Sequence, residues 1–563
     1  MKQLSPKRKK RGLPWLICSA LALLLLIGGS PLLTPVTAVS AEASSSQTAT
    51  GSSQTADNSG LTETDGILRV GMEVNYAPFN WSQTDDSNGA VPVANSEGEY
   101  ANGYDVQIAK KIADGLGLEL EIVKTEWDGL PPAVMSGKID AIIAGMSPTA
   151  ERKEQMDFSD SYYTSDLVVV TLKSSPYADA TSLEDLSGAR ITAQLNTFHY
   201  TVIDQIPGVV KETAMDTFPS MISAVLAGKI DGYVSEKPGA MAAVSSNPEL
   251  VWTRFADGQG FETSSEDTSI AVGLAKGSQL VDPINTILSQ IPEEERQSLM
   301  QEMVDLNVGK ETQSFWQEVG SLIQEYALMF LRGAGNTMLI AIVSTCLGFL
   351  IGLLVAIIRT IPIKRKKHKL GFALHKLLCF LLSVYVEVFR GTPMMVQAML
   401  IYYGSKLFFS IDMSSMSAAF LIVSINTGAY LAEVVRGGIN SIDPGQTEAA
   451  TALGMSHWGT MVRVVLPQAI KNILPAVGNE FVVNIKDTSV LNVISVTELY
   501  FISKSVAGST YLIFQSYFIT SVIYFVLTFT VTRILLLIER KMNGRAFVLQ
   551  STSVPQNLQL PKA

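Results

Sequence analysis

The hydrophobic and polar positions divide the chain into two parts with different patterns. From residue 66 to about residue 306, short apolar runs alternate with amphipathic stretches; residues 67–71 and 119–123 have the pattern of strands, and residues 106–116 that of the helix between them. Alternation of this kind predicts an α/β domain with a mostly parallel sheet. After residue 333 the apolar runs become much longer and favour membrane-spanning helices.

The second part contains five candidate spans. Three of them are runs of at least 20 residues without a charged side chain, which is enough to cross about 30 Å of hydrocarbon as a helix. The uncharged runs are 333–358, 413–432 and 505–532, and two runs interrupted by charged residues are 377–409 and 467–485. A basic block at 364–369 follows the first span. By the positive-inside rule this loop is cytoplasmic and the preceding α/β domain is exported.

The N-terminal segment has the order of a secretory signal. Basic residues at 7–11 are followed by an apolar stretch at 13–27, two glycines, a proline and small residues around Ala41. We predict a signal peptide over residues 1–41, with an uncleaved anchor as the alternative. Residues 42–65 are rich in Ser, Thr, Gln and Ala and predict a flexible linker. The other predicted segments are a binding domain at 66–306, a connector at 307–332, a membrane domain at 333–545 and a cytoplasmic tail at 546–563.

Composition and charge restrict the class of protein. The 563 residues are 47% hydrophobic and 17% charged, which excludes a disordered chain and argues against a wholly soluble protein. The net charge is +4 over residues 1–60, −22 over residues 61–310 and +8 over residues 311–563. So acidic an exported part argues against a nucleic-acid partner. The three cysteines and four histidines have no metal-ligand spacing, and no metal site is predicted.

An internal repeat lies within the exported part. Residues 133–143 and 224–234 each read as a helix end, a glycine, the triplet Lys-Ile-Asp and a strand. The simplest account is two similar α/β lobes, and chance similarity is the alternative. Each repeated strand would carry its next residues to a sheet edge where ligands bind in such folds. Those residues are 145–147 in the first repeat, and Ser235 and Glu236 in the second.

The segment 145–152 carries the clearest chemistry of the exported part. It leaves a strand, offers a Ser or Thr as helix cap, and begins a helix whose first turn contains Arg152. Free backbone N–H groups and a guanidinium together make a clamp for a carboxylate. A simple helix cap with a solvated arginine is the alternative.

Four further segments give the exported part a family resemblance. They lie at 71–79, 103–106, 127–130 and 157–163, the last reading Asp-Phe-Ser-Asp-Ser-Tyr-Tyr. In this order they resemble the polar amino acid-binding proteins that serve ABC importers. The resemblance covers nearly the whole domain. It implies a bilobed α/β fold, periplasmic-binding-protein-like of type II, whose two lobes close on one free amino acid.

The same resemblance implies roles for individual residues. Arg152 would bind the α-carboxylate, with backbone help near Ser147 and Thr197. Gly145 and Ser147 would contact the ammonium group. Glu236 would hold the α-ammonium group. Tyr76 and Trp127 would line the slot for the ligand side chain.

Glu73 bears on the choice of substrate. By resemblance it stands where binders of basic amino acids carry an acid that faces the ligand side chain. A carboxylate in a poorly solvated cleft stabilises a cation, and aromatic walls add cation–π attraction. We therefore expect lysine, arginine or histidine, with glutamine or glutamate as the alternative. A Glu73 that points to solvent remains the other possibility for this side chain.

The membrane part contains one motif of its own, near 443–467. Glu448-Ala449-Ala450 precede Gly454 and a run that ends at Pro467, which predicts a short helix, a sharp turn and a second short helix. The motif resembles the EAA loop of ABC importer permeases of type I, whose helix docks in a groove of the ATPase. The resemblance implies that Glu448, Ala449, Ala450 and Gly454 couple to the ATPase. Without it, the segment reads as an ordinary amphipathic loop.

The chain as a whole resembles a fused substrate-binding and permease subunit of a polar amino acid ABC importer of Gram-positive type. It has no Gly-x-x-x-x-Gly-Lys-Ser/Thr loop, so the ATPase, with its ATP and Mg²⁺, is expected on a separate chain. Two copies of this chain over two ATPase subunits are implied. The competing class, an amino acid-gated channel or receptor, predicts spans on both sides of a pore loop within the binding domain, whereas here all five spans follow it.

Overall fold

The computed structural model describes residues 62–264, 266–306, 314–361 and 369–543. The predicted signal peptide, nearly all of the linker, most of the basic block at 364–369 and the predicted tail lie outside these residues. The described chain forms an α/β binding domain, which ends at residue 306, and a helical domain, which begins at residue 314.

The binding domain consists of two lobes. Lobe 1 comprises residues 62–164 and 269–306, and lobe 2 comprises residues 167–252. The strands are β1 Ile67–Met72, β2 Asn75–Tyr76, β3 Asn80–Gln83, β4 Val91–Pro92, β5 Tyr100–Asn102, β6 Glu119–Lys124, β7 Ala141–Ile142, β8 Met156–Thr164, β9 Leu167–Leu172, β10 Arg190–Thr192, β11 Val210–Lys211, β12 Gly232–Glu236, β13 Leu250–Trp252 and β14 Ser269–Ala275. The sheet of lobe 1 has the order β6-β1-β7-β14-β8, and that of lobe 2 the order β11-β10-β12-β9-β13.

The expectation of a mostly parallel sheet is only half right. In lobe 1, β1 pairs in parallel with β6 and β7, but β14 is antiparallel to both β7 and β8. Lobe 2 repeats this division, with β9 antiparallel to β12 and β13. The antiparallel strands are those next to the two crossings between the lobes. A chain that leaves a sheet and returns to it need not make the crossover that parallel neighbours require.

The internal repeat occupies equivalent places in the two lobes. Gly137 and Gly228 end their helices with positive φ values of 71° and 65°. The aspartate of each Lys-Ile-Asp triplet then accepts a hydrogen bond at 2.8 Å from the backbone N–H of an arginine on the neighbouring strand, Asp140 from Arg69 and Asp231 from Arg190. The shared contacts exclude chance similarity.

The helices of the binding domain cover the faces of the sheets. They are α1 Tyr104–Leu116, α2 Leu130–Met135, α3 Ala150–Gln155, α4 Phe198–Val202, α5 Phe218–Leu226, α6 Lys237–Ser246, α7 Val281–Leu288 and α8 Glu293–Leu306. Helix α1 begins two residues before its predicted start and buries Val106, Ile108 and Ile112 on the side that faces the sheet. Gly117, in the left-handed region at φ 67°, ends it.

The helical domain contains nine α-helices among the described residues. They are α9 Phe315–Thr360, α10 Lys369–Gly391, α11 Met394–Phe409, α12 Ser415–Asn440, α13 Pro444–Ala452, α14 His457–Thr460, α15 Leu466–Asp487, α16 Leu499–Thr510 and α17 Ile513–Asn543. By length and hydropathy, four of the described helices can cross a membrane, or five if the bent pair 457–494 and 499–510 is one span. The predicted five spans correspond to the second reading.

The structure divides or extends three of the predicted segments of the helical domain. The predicted span 377–409 consists of two helices. Pro393 lacks a backbone N–H, so it interrupts the helix between α10 and α11. The predicted span 505–532 is also interrupted, since α16 ends before Tyr511, which has a left-handed φ of 57°. The predicted connector 307–332 is helical from Phe315, where Ser314 and Gln317 form a capping box.

Small residues hold the core of the helical domain together. A Cβ added at Gly352 would lie 2.7 Å from the backbone nitrogen of Ala432, and one at Gly348 would lie 2.8 Å from the side chain of Thr427. These two glycines stand four residues apart on α9 and let its backbone approach α12. Close approach through small residues is the usual packing of membrane helices, which gain little from apolar burial in lipid.

The two domains touch through polar contacts as well as apolar ones. Strand β3 and its neighbour β2 pack against α16, and α11 approaches α2. The polar contacts include Lys124 with Ser505, Glu126 with Lys504, Lys138 with Asp412 at 2.9 Å, and the Tyr511 hydroxyl with the carbonyl of Ala77 at 3.0 Å. All four of these binding-domain residues lie in lobe 1. Lobe 2 reaches the helical domain through α5, which packs against α16 and α17.

Candidate functional site

The cleft between the lobes gathers seven of the eight predicted pocket residues. Its lining contains Tyr76, Trp127, Gly145, Ser147, Arg152, Thr197 and Glu236, together with Ala144, Gln194, Phe198, His199 and Phe218. The space left inside for water is only about 10 Å³. This is about the room that one water molecule needs, so the lobes are drawn together.

Arg152 joins the two lobes across the cleft. Its Nη1 donates to the carbonyl of Ser147 in lobe 1 at 2.9 Å, and its Nη2 donates to the carbonyl of Asn196 in lobe 2 at 2.9 Å. The guanidinium also lies over the ring of Trp127, with its carbon 5.2 Å from the ring centre. Burial lowers the pKa of Arg152 to about 10. The helix cap of the alternative is present, since the Thr149 side chain accepts from the backbone N–H of Arg152, but the half-buried guanidinium is held by both lobes rather than by solvent alone.

Glu236 is the acidic group of the cleft and is only 4% exposed. The hydroxyl of Tyr76 donates to it, and Nε2 of His199 lies 2.9 Å from its Oε1. Burial alone would raise the pKa of Glu236, but the charge of His199 and the hydrogen bonds outweigh burial and hold this pKa below its usual range. The carboxylate is therefore ionised and lies within a cleft that also contains the Arg152 cation.

Aromatic rings form one wall of the cleft. Tyr76 stacks on Phe218 of lobe 2 with ring centres 4.3 Å apart, and on Phe79 with ring centres 5.1 Å apart. Gly145 lies against the same ring: it has a φ of 64°, and a Cβ there would be 3.3 Å from the Tyr76 ring. A side chain at position 145 would thus strain the backbone and press on the wall.

Glu73 is the one predicted pocket residue that does not line the closed cleft. It is 5% exposed, which contradicts the alternative that it points to solvent. Its Oε1 has no hydrogen-bond partner among the described residues, and Gln194, which lines the cleft, contributes a hydrogen bond to the carboxyl group. Burial, together with the charge of Glu126, raises the pKa of Glu73 from 4.5 to about 8.

Five functional candidates were missed in the sequence. Four of them flank the predicted Thr197, and the fifth is Phe218; the four are Gln194, Asn196, Phe198 and His199. The signal for the first group was present, because a segment that supplies one contact at a helix start brings its neighbours with it. Phe218 carries no such signal, since a phenylalanine at a helix start reads equally well as core.

The predicted EAA-like motif has the expected local structure. Glu448 and Ala449 are exposed on α13 and Ala450 is buried, while Gly454 follows with a φ of 78°. Leu453 and Trp458 beside it are 83% and 63% exposed. Helix α12 leads to this loop and begins next to Asp412, which contacts the binding domain. Its 26 residues span about 39 Å, so the loop lies about one membrane thickness away from the binding domain.

Comparison with known proteins assigns each part to a family. Residues 68–303 match the bacterial extracellular solute-binding proteins of family 3, and residues 370–544 match the binding-protein-dependent transport system inner membrane component. The glutamine transport system permease protein GlnP of Escherichia coli K12 is 34% identical over 215 residues, which are 38% of this chain and 93% of that protein. The chain belongs to the family of binding-protein-dependent inner-membrane transport components.

Other relatives have the same character. The arginine transport system permease protein ArtQ of Bacillus subtilis is 32% identical over 214 residues, covering 38% of this chain and 92% of that protein. A solved structure, the substrate-binding protein AbpA of an amino acid ABC transporter from Streptococcus pneumoniae bound to L-arginine, is 27% identical over 44% of this chain and 97% of that chain, with a TM-score of 0.37.

This family membership defines the chain as a fused substrate-binding and permease subunit of an amino acid ABC importer. The relatives are transport permeases, so the chain is a transporter subunit rather than an enzyme. The order of the two domains and the apolar helices are those of a membrane protein with its binding domain ahead of its permease domain.

Proposed function

We propose that this subunit imports a basic amino acid, lysine, arginine or histidine, with ATP hydrolysed on a separate chain. The observation that carries the proposal is Glu73, a carboxyl group buried behind the cleft with one oxygen lacking a hydrogen-bond partner among the described residues. A cationic side chain that reaches past Gln194 would supply the missing hydrogen-bond partner, and it would add a second positive charge to that of Lys504, which already acts on Glu73.

The two ends of the amino acid are assigned to opposite charges in the cleft. Arg152 takes the α-carboxylate, since its guanidinium presents paired donors, and the backbone near Ser147 and Thr197 assists. Glu236 takes the α-ammonium, with Gly145 and Ser147 as further contacts, while Tyr76 and Trp127 enclose the side chain. Because the closed cleft has too little room for an amino acid, the lobes must separate to admit one and close around it.

Glutamine is the second candidate, and one observation favours it. A carboxyl group with a pKa of about 8 is largely protonated at neutral pH when no ligand is bound, and a neutral Glu73 can donate a hydrogen bond to an amide. The names of the relatives include both glutamine and arginine transport, so they support an amino acid substrate without choosing between these two.

For the assembly we propose the arrangement that the resemblance of the permease domain implies. Two copies of this chain form the pathway, and two ATPase subunits bind the loops that contain Glu448, Ala449, Ala450 and Gly454. In this assembly the binding domain lies outside the cell and the loop lies in the cytoplasm. The length of α12 between them supports opposite sides of the membrane. ATP and Mg²⁺ then bind to the ATPase chain, and the movement of that ATPase is transmitted to this chain through α13.

Calorimetry of the full chain in nanodiscs with each of the twenty amino acids tests the proposal. We expect binding of arginine, lysine or histidine, with one of them tighter than glutamine. Tight glutamine binding without binding of any of the three basic amino acids would contradict the basic substrate, and absence of binding by every amino acid would contradict the assignment of the cleft.

A further inference from the structure

Four consecutive residues of lobe 1, Glu126 to Gly129, contact both the permease domain and the substrate cleft. They connect strand β6 to helix α2: Trp127–Gly129 form a single 3-10 turn, Glu126 precedes this turn, and Gly129 caps α2. We call this segment the 126–129 turn. Two of its residues face the permease domain and two face the substrate cleft.

The outer residues of the turn contact the permease domain. Glu126 accepts a hydrogen bond from Nζ of Lys504 on α16, and the two side chains are only 14% and 11% exposed. At the other end, Gly129 lies against the permease so closely that an added Cβ would be 2.8 Å from the Tyr403 hydroxyl oxygen and 3.4 Å from the Val493 carbonyl oxygen. The permease therefore fixes both ends of the turn.

The inner residues contact the cleft. The ring of Trp127 supports the guanidinium of Arg152, the group assigned to the α-carboxylate. The carboxylate of Asp128 accepts a hydrogen bond at 2.8 Å from the side-chain amide of Asn196, which lies in lobe 2. Asn196 also offers its carbonyl to Arg152. One side of the turn thus takes part in lobe closure, and its other side takes part in docking.

We propose that the 126–129 turn couples docking on the permease to closure of the cleft, with Lys504 as the positioning residue on the permease side. Because Trp127 and Asp128 lie directly between Glu126 and Gly129, the permease contacts at these two ends hold them where the closed cleft needs them. Coupling of this kind is reciprocal: a docked permease tightens amino acid binding, and a bound amino acid strengthens docking. The proposal rests on the cleft being the amino acid site.

The test compares amino acid affinity of the full chain in nanodiscs between charge variants of one ion pair. Lys504→Glu and Glu126→Lys are each expected to weaken arginine binding about five- to tenfold, the lower range of measured coupling between sites. The double variant Glu126→Lys with Lys504→Glu restores the pair in reverse and is expected to return to within about twofold of the wild type. Glutamine affinity is measured in parallel, because the charges of Glu126 and Lys504 also act on Glu73. Coupling through the turn weakens the binding of both amino acids, whereas a direct effect on Glu73 changes arginine binding alone.

The matched control is another ion pair between the domains. Lys138 of lobe 1 donates to Asp412 of the permease domain at 2.9 Å, away from the ion pair of Glu126 and Lys504. Lys138→Glu is expected to leave arginine affinity within about twofold of the wild type. Gly129→Ala tests the other permease contact of the 126–129 turn. It displaces Tyr403 without changing a charge, and it is expected to weaken binding in the same direction.

Three results would overturn the proposal. Unchanged affinity in both single charge variants would remove the turn as the coupling element while leaving the amino acid site intact. Tighter arginine binding in Lys504→Glu would mean that Lys504 competes with the ligand cation. Equal weakening by Lys138→Glu would assign the coupling to the whole interface. If the wild type binds neither arginine nor glutamine, the proposed function fails first and this inference fails with it.

Discussion

The binding domain and the helical domain bury polar groups in different ways. In the binding domain the buried groups include charges, such as Glu236 beside His199 and Lys124 beside Glu99 at 2.5 Å. In the helical domain the amide of Asn484 donates to the hydroxyl of Thr345 at 2.8 Å. The buried carboxyl group of Glu498 accepts from the Tyr524 hydroxyl at 2.9 Å and from the backbone N–H of Phe501 at 2.8 Å, so its partners here are uncharged. Buried charges need rigid partners, whereas hydroxyls and amides tolerate small shifts between helices.

This difference separates recognition from transmission. The cleft holds a cation and an anion in fixed positions, as recognition of a zwitterion requires. The helical domain packs through glycines and small side chains that allow its helices to move past one another without exposing a charge. Variants in one region should therefore change affinity and leave coupling intact, and variants in the other should do the reverse.

The largest expected effect is at Arg152. Arg152→Ala removes the cation of the cleft and both of its contacts between the lobes, and we expect amino acid binding to weaken about 100-fold or more. Calorimetry of the full chain measures this. Lys153→Ala is the control, since the neighbouring cation is exposed and pairs with Glu266. Binding within about threefold of wild type in Arg152→Ala would remove the carboxylate role.

The reverse pattern is expected at Glu448. Glu448→Lys inverts an exposed charge on α13, so amino acid affinity should stay at the wild-type value while ATP-dependent uptake falls to background. Uptake by proteoliposomes that contain the partner ATPase is the measurement. Glu539→Lys makes the same charge change at the end of α17 and serves as the control. Unchanged uptake in Glu448→Lys would contradict the coupling role of this loop.

Glu73 gives an intermediate effect with a dependence on pH. Only the ionised carboxylate attracts a cation, and its pKa is about 8 without ligand, so arginine should bind more tightly as the pH rises from about 6 to about 8. Glutamine affinity should not rise in this range. In Glu73→Gln the pH dependence should disappear and arginine affinity at pH 8 should fall about tenfold. Calorimetry at several pH values measures these affinities. An arginine affinity that does not change with pH would contradict the role of Glu73 in binding the ligand cation.

The same shift predicts a change in stability. The folded ligand-free chain binds a proton at Glu73 that the unfolded chain releases near pH 4.5, so this group contributes less stability as the pH rises from 4.5 toward about 8. Glu73→Gln should therefore raise the melting temperature more at pH 8 than at pH 5. An equal change at both pH values would contradict the buried, neutral state of this carboxyl group.

The smallest expected effect is at Gly145. Gly145→Ala adds a Cβ 3.3 Å from the Tyr76 ring at a φ of 64°, and we expect about fivefold weaker binding and about 1 kcal/mol lower stability. Gly228→Ala is a matched control, because Gly228 has a φ of 65° and nothing within 4 Å. That variant should lose similar stability without a loss of affinity. Equal affinity loss in both variants would mean that backbone strain, rather than the aromatic wall, governs binding.

Much of the fold could be predicted from local sequence signals. The repeated Gly-Lys-Ile-Asp sequence predicted two equivalent lobes. It could do so because the left-handed glycine and the aspartate that accepts from the neighbouring strand both act within a few residues of the repeat. The division of the span at 377–409 was less accessible. A proline inside an apolar run is compatible with a kinked helix or with two helices, and only the packing of α10 and α11 distinguishes them.

The site was predictable where one lobe alone determines a contact. Arg152 and Gly145 could be found because strand, turn and helix start are adjacent in the sequence. Contacts between lobes could not, because His199 beside Glu236 and Asn196 beside Asp128 depend on closure. The permease contact of Glu126 was hidden for the same reason: its partner, Lys504, lies 378 residues away.

The most direct test of the account is ATP-dependent uptake of radiolabelled arginine and glutamine by proteoliposomes that contain this chain and its partner ATPase, compared with the Arg152→Ala variant. The account predicts accumulation of amino acid by the wild type, arginine above glutamine, and none by the variant. Failure of the wild type to accumulate any amino acid, or equal accumulation by Arg152→Ala, would contradict it.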